Sequence, residues 1–172
     1  MAIARPDNTH IISLKSFLSK DFEITDLGEL KHILGILVSR DRSKHLIYLN
    51  QTAYIQRMIA RFGMESSSPV STPLAVKHDL SLSQSPSTEA EKQVYQDYAG
   101  DIPYLSLVGS LLFATQTCLD IQFAVGLIVQ FGSNPGIAHF KAAKRVLRYL
   151  KGTADYNLVL GRQREGRFDL IG

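Results

Sequence analysis

The sequence predicts an α+β fold: a β-hairpin and helix block, then a mainly helical block, ending in a strand pair. Three observations predict it. Two short apolar runs, 33–38 and 46–49, flank the polar stretch 39–45. Apolar side chains recur at helical spacing from Tyr104 to Leu150. Strand-like runs at 154–160 and 168–171 then flank a polar turn at 161–166. A period near 3.6 marks a helix with one buried face, and short β-rich runs bounded by turn residues mark strands.

In chain order, Asn8 to Lys20 reads as a first helix, with Leu14, Phe17 and Leu18 on one face and Asn8 or Thr9 as its cap. An extended stretch, Phe22 to Leu27, ends at Gly28. The hairpin follows. Asn50 then caps a helix from Thr52 to Phe62 with Ile55, Met58, Ile59 and Phe62 on its buried side, and Gly63 stops it. Residues 65–101 read as a linker, because Ser66 to Pro73 and Ser81 to Thr88 are rich in Ser and Pro. Such a stretch buries too little surface to offset its ordering entropy, although it can lie along a surface as an extended strap.

The second block, 102–153, is helical. Tyr104, Leu107, Val108, Leu111, Leu112 and Thr115 share helical spacing. Thr117-Cys118-Leu119-Asp120 has the form of a capping box, with Asp where Glu or Gln is usual. The helix it opens carries Ile121, Ala124, Val125 and Ile128 on one face. Gly126 inside it costs about 1 kcal/mol against Ala unless another backbone packs close there. Asn134-Pro135 places a good cap before Pro at the first position of the last helix, which runs to Lys151 and ends at Gly152.

Composition bounds the function. The chain has 172 residues, of which 45% are hydrophobic and 20% charged, so wholesale disorder is excluded. One Cys excludes a disulfide framework and any Cys-rich zinc site. No apolar run approaches the roughly 18 residues of a membrane span, so no membrane partner is expected. Met1 to Pro6 lacks the basic and apolar regions of a signal peptide. The expected location is intracellular, cytoplasmic or nuclear.

Charge is unevenly spread. From His139 to Arg167 there are eight basic and two acidic residues, a balance of +6, while the remainder carries −3. Such asymmetry is a footprint of polyanion binding, and equally of a solvated surface that happens to be basic. The last helix concentrates it. Lys141, Lys144, Arg145, Arg148 and Lys151 fall on one face, and Ile137, Phe140, Ala143, Val146, Leu147 and Leu150 on the other. A helix of this kind can lie along a phosphate backbone and give salt-sensitive, sequence-independent affinity. An ordinary amphipathic surface helix has the same pattern.

Residues suited to catalysis are scarce. No two Asp residues are adjacent, so no Asp-Asp pair for two-metal phosphoryl transfer is present. No zinc-protease, nucleophile-elbow, Walker or dinucleotide fingerprint occurs. His10, His32, His45, His78 and His139 lack ligand spacing and read as surface or packing residues. Cys118 stands at an expected helix start, where a helix dipole lowers a thiol pKa, but no His lies near it in sequence.

Phe22 to Ile36, FEITDLGELKHILGI, resembles the F-E-M-x-D-L-G-E-L-x-x-F-L-G-I stretch of copia-type retrotransposon reverse transcriptases. The resemblance continues through Ile47 to Gln51, Tyr54-Ile55, Arg61 to Met64 and Pro69 to Leu74. It resumes at Tyr104 to Leu112, Asp120-Ile121, Phe123 to Val125 and Ser133 to Pro135. Ala142 to Thr153, AAKRVLRYLKGT, is close to a family signature. Two positions depart: the family's T-R-P-D-I is Thr117-Cys118-Leu119-Asp120-Ile121 here, and its H-W is His139-Phe140.

The resemblance implies the end of a reverse-transcriptase palm over 1–64, a linker over 65–101, a thumb or connection over 102–153, and first strands leading toward RNase H over 154–172. It implies that the aspartate-bearing Y-V-D-D strand and the G-Y-S-D-A-D-W stretch of RNase H lie outside the chain. No cofactor is then expected in this chain, although the parent enzyme uses Mg²⁺, and the chain alone is expected to be inactive. By position, Leu34, Gly35 and Ile36 resemble the primer grip, and an ordinary buried hairpin explains their apolar side chains equally well. Lys141, Lys144, Arg145, Arg148 and Lys151 would lean on an RNA–DNA or DNA duplex, with the palm and RNase H portions of the polyprotein as further partners. The alternatives are an inert relic of a retroelement and an adopted protein-interaction module.

Overall fold

The computed structural model describes residue 3 and residues 8–77, 79–162 and 168–171. Its sheet begins with a departure from the expected hairpin. The apolar run 33–38 is not one strand: β1 (His32–Ile33) and β2 (Ile36–Asp41) are antiparallel, with Ile33 opposite Ile36. Leu34 and Gly35 between them have φ of 48° and 79°. Two successive positive φ values are the geometry of a two-residue hairpin turn, whose twist matches that of the flanking strands. Glycine meets the second position without strain, and Leu34 is the side chain that has to accept the left-handed region.

β2 pairs with β3 (Leu46–Asn50), Val38 opposite Leu49 and Asp41 opposite Leu46. The expected polar turn joins them, and Asp41 Oδ1 accepts from the Ser43 and Lys44 backbone N–H groups. The strand pair at the far end of the chain, β4 (Leu158–Arg162) and β5 (Phe168–Ile171), adds to this same sheet: Leu49 lies opposite Leu158 and Leu46 opposite Gly161. The result is one antiparallel five-stranded sheet in the order β1-β2-β3-β4-β5. With the helices, it makes the fold α+β.

The core is helical. α2 (Thr52–Arg61) buries Ile55, Met58 and Ile59, and Phe62 at its end is 4% exposed. The cap position falls on Gln51 rather than on the expected Asn50, whose side-chain oxygen accepts from Thr52 N–H at 2.8 Å just before it. α4 (Tyr104–Ala114), α5 (Gln122–Val129) and α6 (Ile137–Gly152) complete the core, with Leu107, Val108, Leu111, Val125, Ile128, Phe140 and Leu147 all at most 1% exposed. The Tyr104 hydroxyl, inside this core, donates to the Ile128 carbonyl at 2.6 Å. Leu112, expected on the buried face, is exposed on α4.

Three further expected caps and connections differ. Thr117 does not cap a helix: its hydroxyl is buried and donates to Gln51 Oε1 at 2.7 Å. A bond across the core replaces the local one. α6 begins at Ile137 rather than at Pro135, and Gly136 is its cap residue. The Asn134 amide instead donates to the Pro86 carbonyl at 3.0 Å. Within 65–101, a 3-10 turn (Leu82–Gln84) and a helix, α3 (Glu89–Ala99), are present. α3 has a reciprocal box: Glu91 N–H donates to Thr88 Oγ1, and Thr88 N–H to Glu91 Oε2. Tyr95 and Tyr98 of α3 both meet the Phe140 ring edge-on. Packing on α6 therefore orders a helix that composition alone did not indicate.

α1 (Asn8–Asp21) forms where its residues predict, yet buries none of them. Ile12 and Phe17 are 66% and 62% exposed, and Leu27 and Leu34 beyond it are 90% and 78% exposed.

Gly126 stands on the exposed side of α5, and a Cβ there would meet nothing within 4 Å. No close backbone approach justifies the glycine. Gly126→Ala is expected to stabilise the fold by about 1 kcal/mol through helix propensity. A urea midpoint equal to or below that of the unsubstituted chain would contradict this.

Candidate nucleic-acid interface

α6 owes its two faces to its residue spacing, and the structure keeps both. His139, Phe140, Ala143, Val146, Leu147 and Leu150 are buried. Lys141 is exposed and Lys144, Arg145, Arg148 and Lys151 are half-buried on the other side. Against Arg145, Arg148 and Lys151 the Ser/Pro-rich segment 64–74 lies along the helix as a strap. Arg148 Nε donates to the Ser68 carbonyl at 2.7 Å. Lys151 Nζ donates to the Ser67 carbonyl at 2.8 Å and to that of Glu65. Arg145 Nη2 donates to Thr72 Oγ1 at 2.9 Å. Lys141 and Lys144 instead lie over the Tyr98 ring, 5.4 and 5.5 Å from its centre, and Lys144 is 4.8 Å from that of Phe140.

These acceptors are neutral. Among the described residues none of the five cations is in an ion pair. Their charge is oriented without being cancelled, so the face keeps a positive potential. Between the strap, α3 and α6 lies a groove of about 570 Å³, lined by Lys77, Lys141, Lys144, Arg145 and Arg148 and, among the described residues, by a single carboxylate, Asp79.

The other expected site residues lie elsewhere. Leu34 and Gly35 form the β1–β2 turn, and Ile36 is 9% exposed at the start of β2. A Cβ on Gly35 would sit 3.7 Å from Phe113 Cζ, so the turn rests on the end of α4. It borders a second, open groove with Tyr54, Arg61 and Ser106, which shares no lining residue with the first. The hairpin turn and the basic helix are thus not gathered into one cavity.

The described histidines are not gathered into a metal site. Among the described residues no group of three or more His, Cys, Asp or Glu is placed to hold a metal ion, and no catalytic step is assigned to them. His78 lies outside the described residues. Burial raises the Cys118 thiol pKa, opposing any effect of the helix start, so it is a poor nucleophile. The Tyr149 hydroxyl, pushed up to about 12 by burial and by its bond to Asp120, stays protonated as a donor.

His139 is a structural residue that spacing did not single out. It is fully buried and stacks on Phe131 with 3.8 Å between ring centres. Its Nδ1 accepts from Gly136 N–H at 2.9 Å, which leaves Nε2–H to donate to the Ser81 carbonyl at 3.1 Å. A second ring proton would face the Gly136 N–H. Burial accordingly lowers its pKa, against a smaller opposing effect of the Ser81 bond. The unfolded state therefore takes up this proton more readily than the folded one. Stability from this group is complete above its ordinary value of 6.5 and falls as the pH drops below it. The melting midpoint is expected to fall with acidification from there, and less steeply in His139→Asn. Equal slopes in the two proteins would place the effect elsewhere.

No protein-family model matches the chain, and no solved structure matches it. The retrovirus-related Pol polyprotein from transposon TNT 1-94 of Nicotiana tabacum is 42% identical over 162 residues, 94% of this chain and 12% of the polyprotein. An uncharacterized mitochondrial protein of Arabidopsis thaliana is 34% identical over 89% of this chain and 58% of its own length. The Pol polyprotein from transposon RE1 of Arabidopsis thaliana is 34% identical over 83% of this chain and 9% of its own length. The chain is a segment homologous to transposon Pol polyproteins. More narrowly, those homologues are Pol polyproteins of copia-type transposons. The chain spans about a tenth of the length of those polyproteins and just over half that of the mitochondrial relative.

Proposed function

We propose that the chain is a reverse-transcriptase segment of a copia-type element, comprising the end of the palm, the thumb and the connection toward RNase H. Its contribution is contact with the template–primer backbone inside the cell, without chemistry of its own. The observation that carries this reading is the α6 face, where none of the five cations is in an ion pair among the described residues. Such a face attracts phosphate by counterion release, each contact adding about 0.9 to the slope of log affinity against log salt on a duplex. The β1–β2 turn, with Leu34 78% exposed, takes the place of the primer grip in this reading.

Changing Lys144, Arg145 and Arg148 together to Ala is expected to weaken binding to an RNA–DNA hybrid and to lower the salt slope by up to about 3. Arg145 and Arg148 also anchor the strap, so the charge-preserving Arg145→Lys and Arg148→Lys pair is the control and is expected to retain most of the slope. Unchanged affinity and slope in the triple variant would overturn the reading.

A second reading rests on a different observation. Ile12, Phe17, Phe22 and Leu27 are each more than 60% exposed, a surface suited to cover by another polypeptide. A protein-interaction module would use that surface, and an inert relic would aggregate through it. A cooperative melt whose midpoint rises with hybrid duplex at low salt supports the first reading over both.

A further inference from the structure

We propose that the groove between the strap and α6 binds a nucleoside monophosphate, either free or as the terminal nucleotide of a single strand. This goes beyond duplex contact, although it draws on some of the same cations. The volume, about 570 Å³, lies within the roughly 300–1,000 Å³ of small-molecule sites. It admits a body of nucleotide size, whereas a double helix would lie across its mouth.

The chemistry of the walls is divided. Lys144, Arg145 and Arg148 fall within little more than one helical turn and line one side. Arg145 is the most informative of the three. Its Nη2 is bonded to Thr72, but its Nε is buried without a partner among the described residues. A buried donor left unpaired is costly, and a guanidinium edge matches the oxygens of a phosphate. Met64, Leu74 and Leu80 across from α6, with Ala138 and Ala142 on α6 itself beside the cations, add an apolar lining suited to a flat base. Tyr98 is not the stacking partner, because the ammonium groups of Lys141 and Lys144 already lie over its ring. A dianionic head joined to an apolar ring is the ligand that satisfies both kinds of lining. An inorganic anion would use only the first, and an uncharged nucleoside only the second.

The test is calorimetric titration of the full chain with four probes: adenosine 5′-monophosphate, adenosine, inorganic phosphate and a 5′-phosphorylated single-stranded tetranucleotide. The expected result is that the monophosphate, the tetranucleotide, or both bind at least tenfold more tightly than adenosine or phosphate. Binding of the free nucleotide identifies a soluble ligand, and binding of the tetranucleotide alone identifies a strand end. Arg145→Gln is expected to weaken binding at least tenfold. Because that variant also loosens the strap, Ala142→Leu is the second variant: it fills the groove, keeps every cation, and is expected to abolish nucleotide binding while hybrid-duplex affinity persists. Loss of duplex binding in the α6 triple variant and loss of nucleotide binding in Ala142→Leu are thus separate readouts. No binding of either nucleotide probe, equal binding of phosphate alone, or undiminished nucleotide binding in Ala142→Leu would each overturn the proposal.

Discussion

Phe140→Ala is expected to lower the unfolding free energy by about 3–5 kcal/mol, the range for deleting a buried aromatic ring. Phe140 is fully buried on α6, at the place where three helices converge. Tyr95 and Tyr98 of α3 approach its ring edge-on with centres 6.2 and 6.0 Å away, and Tyr104 of α4 lies at 6.3 Å. Edge-on rings place positive hydrogens against a negative face, adding to the area term. Removing the ring leaves a void that these three helices share, and a void lined by several helices cannot close by one rotamer change. The loss falls on a total that for a domain is only about 5–15 kcal/mol. α3 has two of its aromatic contacts here, so its amide protection is expected to drop furthest. A cost under about 1 kcal/mol by urea denaturation would mean that α3 repacks, and would refute this account of how it is held.

That prediction rests on a position whose burial was legible from spacing alone. Ile55, Met58, Ile59 and Phe62 were legible for the same reason, because a helical face is a local property that its own residues encode. What was not legible is nonlocal. Nothing in 46–49 announces that 158–161 will pair with it, since a strand edge offers only backbone groups. The Asn50 amide reaches the Tyr156 carbonyl 106 residues away, a bond no local pattern carries. The bend at Leu34-Gly35 was hidden inside an apolar run because Leu34, a poor turn residue, occupies a left-handed position. At the site, the five cations were legible and their partners were not. Ser67 and Ser68 bind them through main-chain carbonyls, which every residue has. Thr117 shows the converse error: a sequence with the form of a local cap spends its hydroxyl on Gln51 across the core.

Gly136→Ala carries the second large effect, and its sign is opposite to that of Gly126→Ala. A Cβ at Gly136 would lie 1.9 Å from the Gln84 carbonyl oxygen and 2.9 Å from its carbon. Both are backbone atoms, so no rotamer change makes room. The segment 81–86 is pinned on either side of the clash, by Ser81 on His139 Nε2 and by Pro86 on the Asn134 amide. To admit one methyl group it must move away, breaking those bonds and uncovering the fully buried His139. Overpacking of this kind costs about 1–3 kcal/mol, and Ala is also a poor helix cap. The expected loss is about 3 kcal/mol, with new proteolytic cleavage confined to 79–87 and the helical circular-dichroism signal largely kept. The local signature matters more than the size. A global loss without new cleavage would mean that 81–86 is part of the core rather than a segment laid on it. No loss at all would show that the segment does not rest against the start of α6.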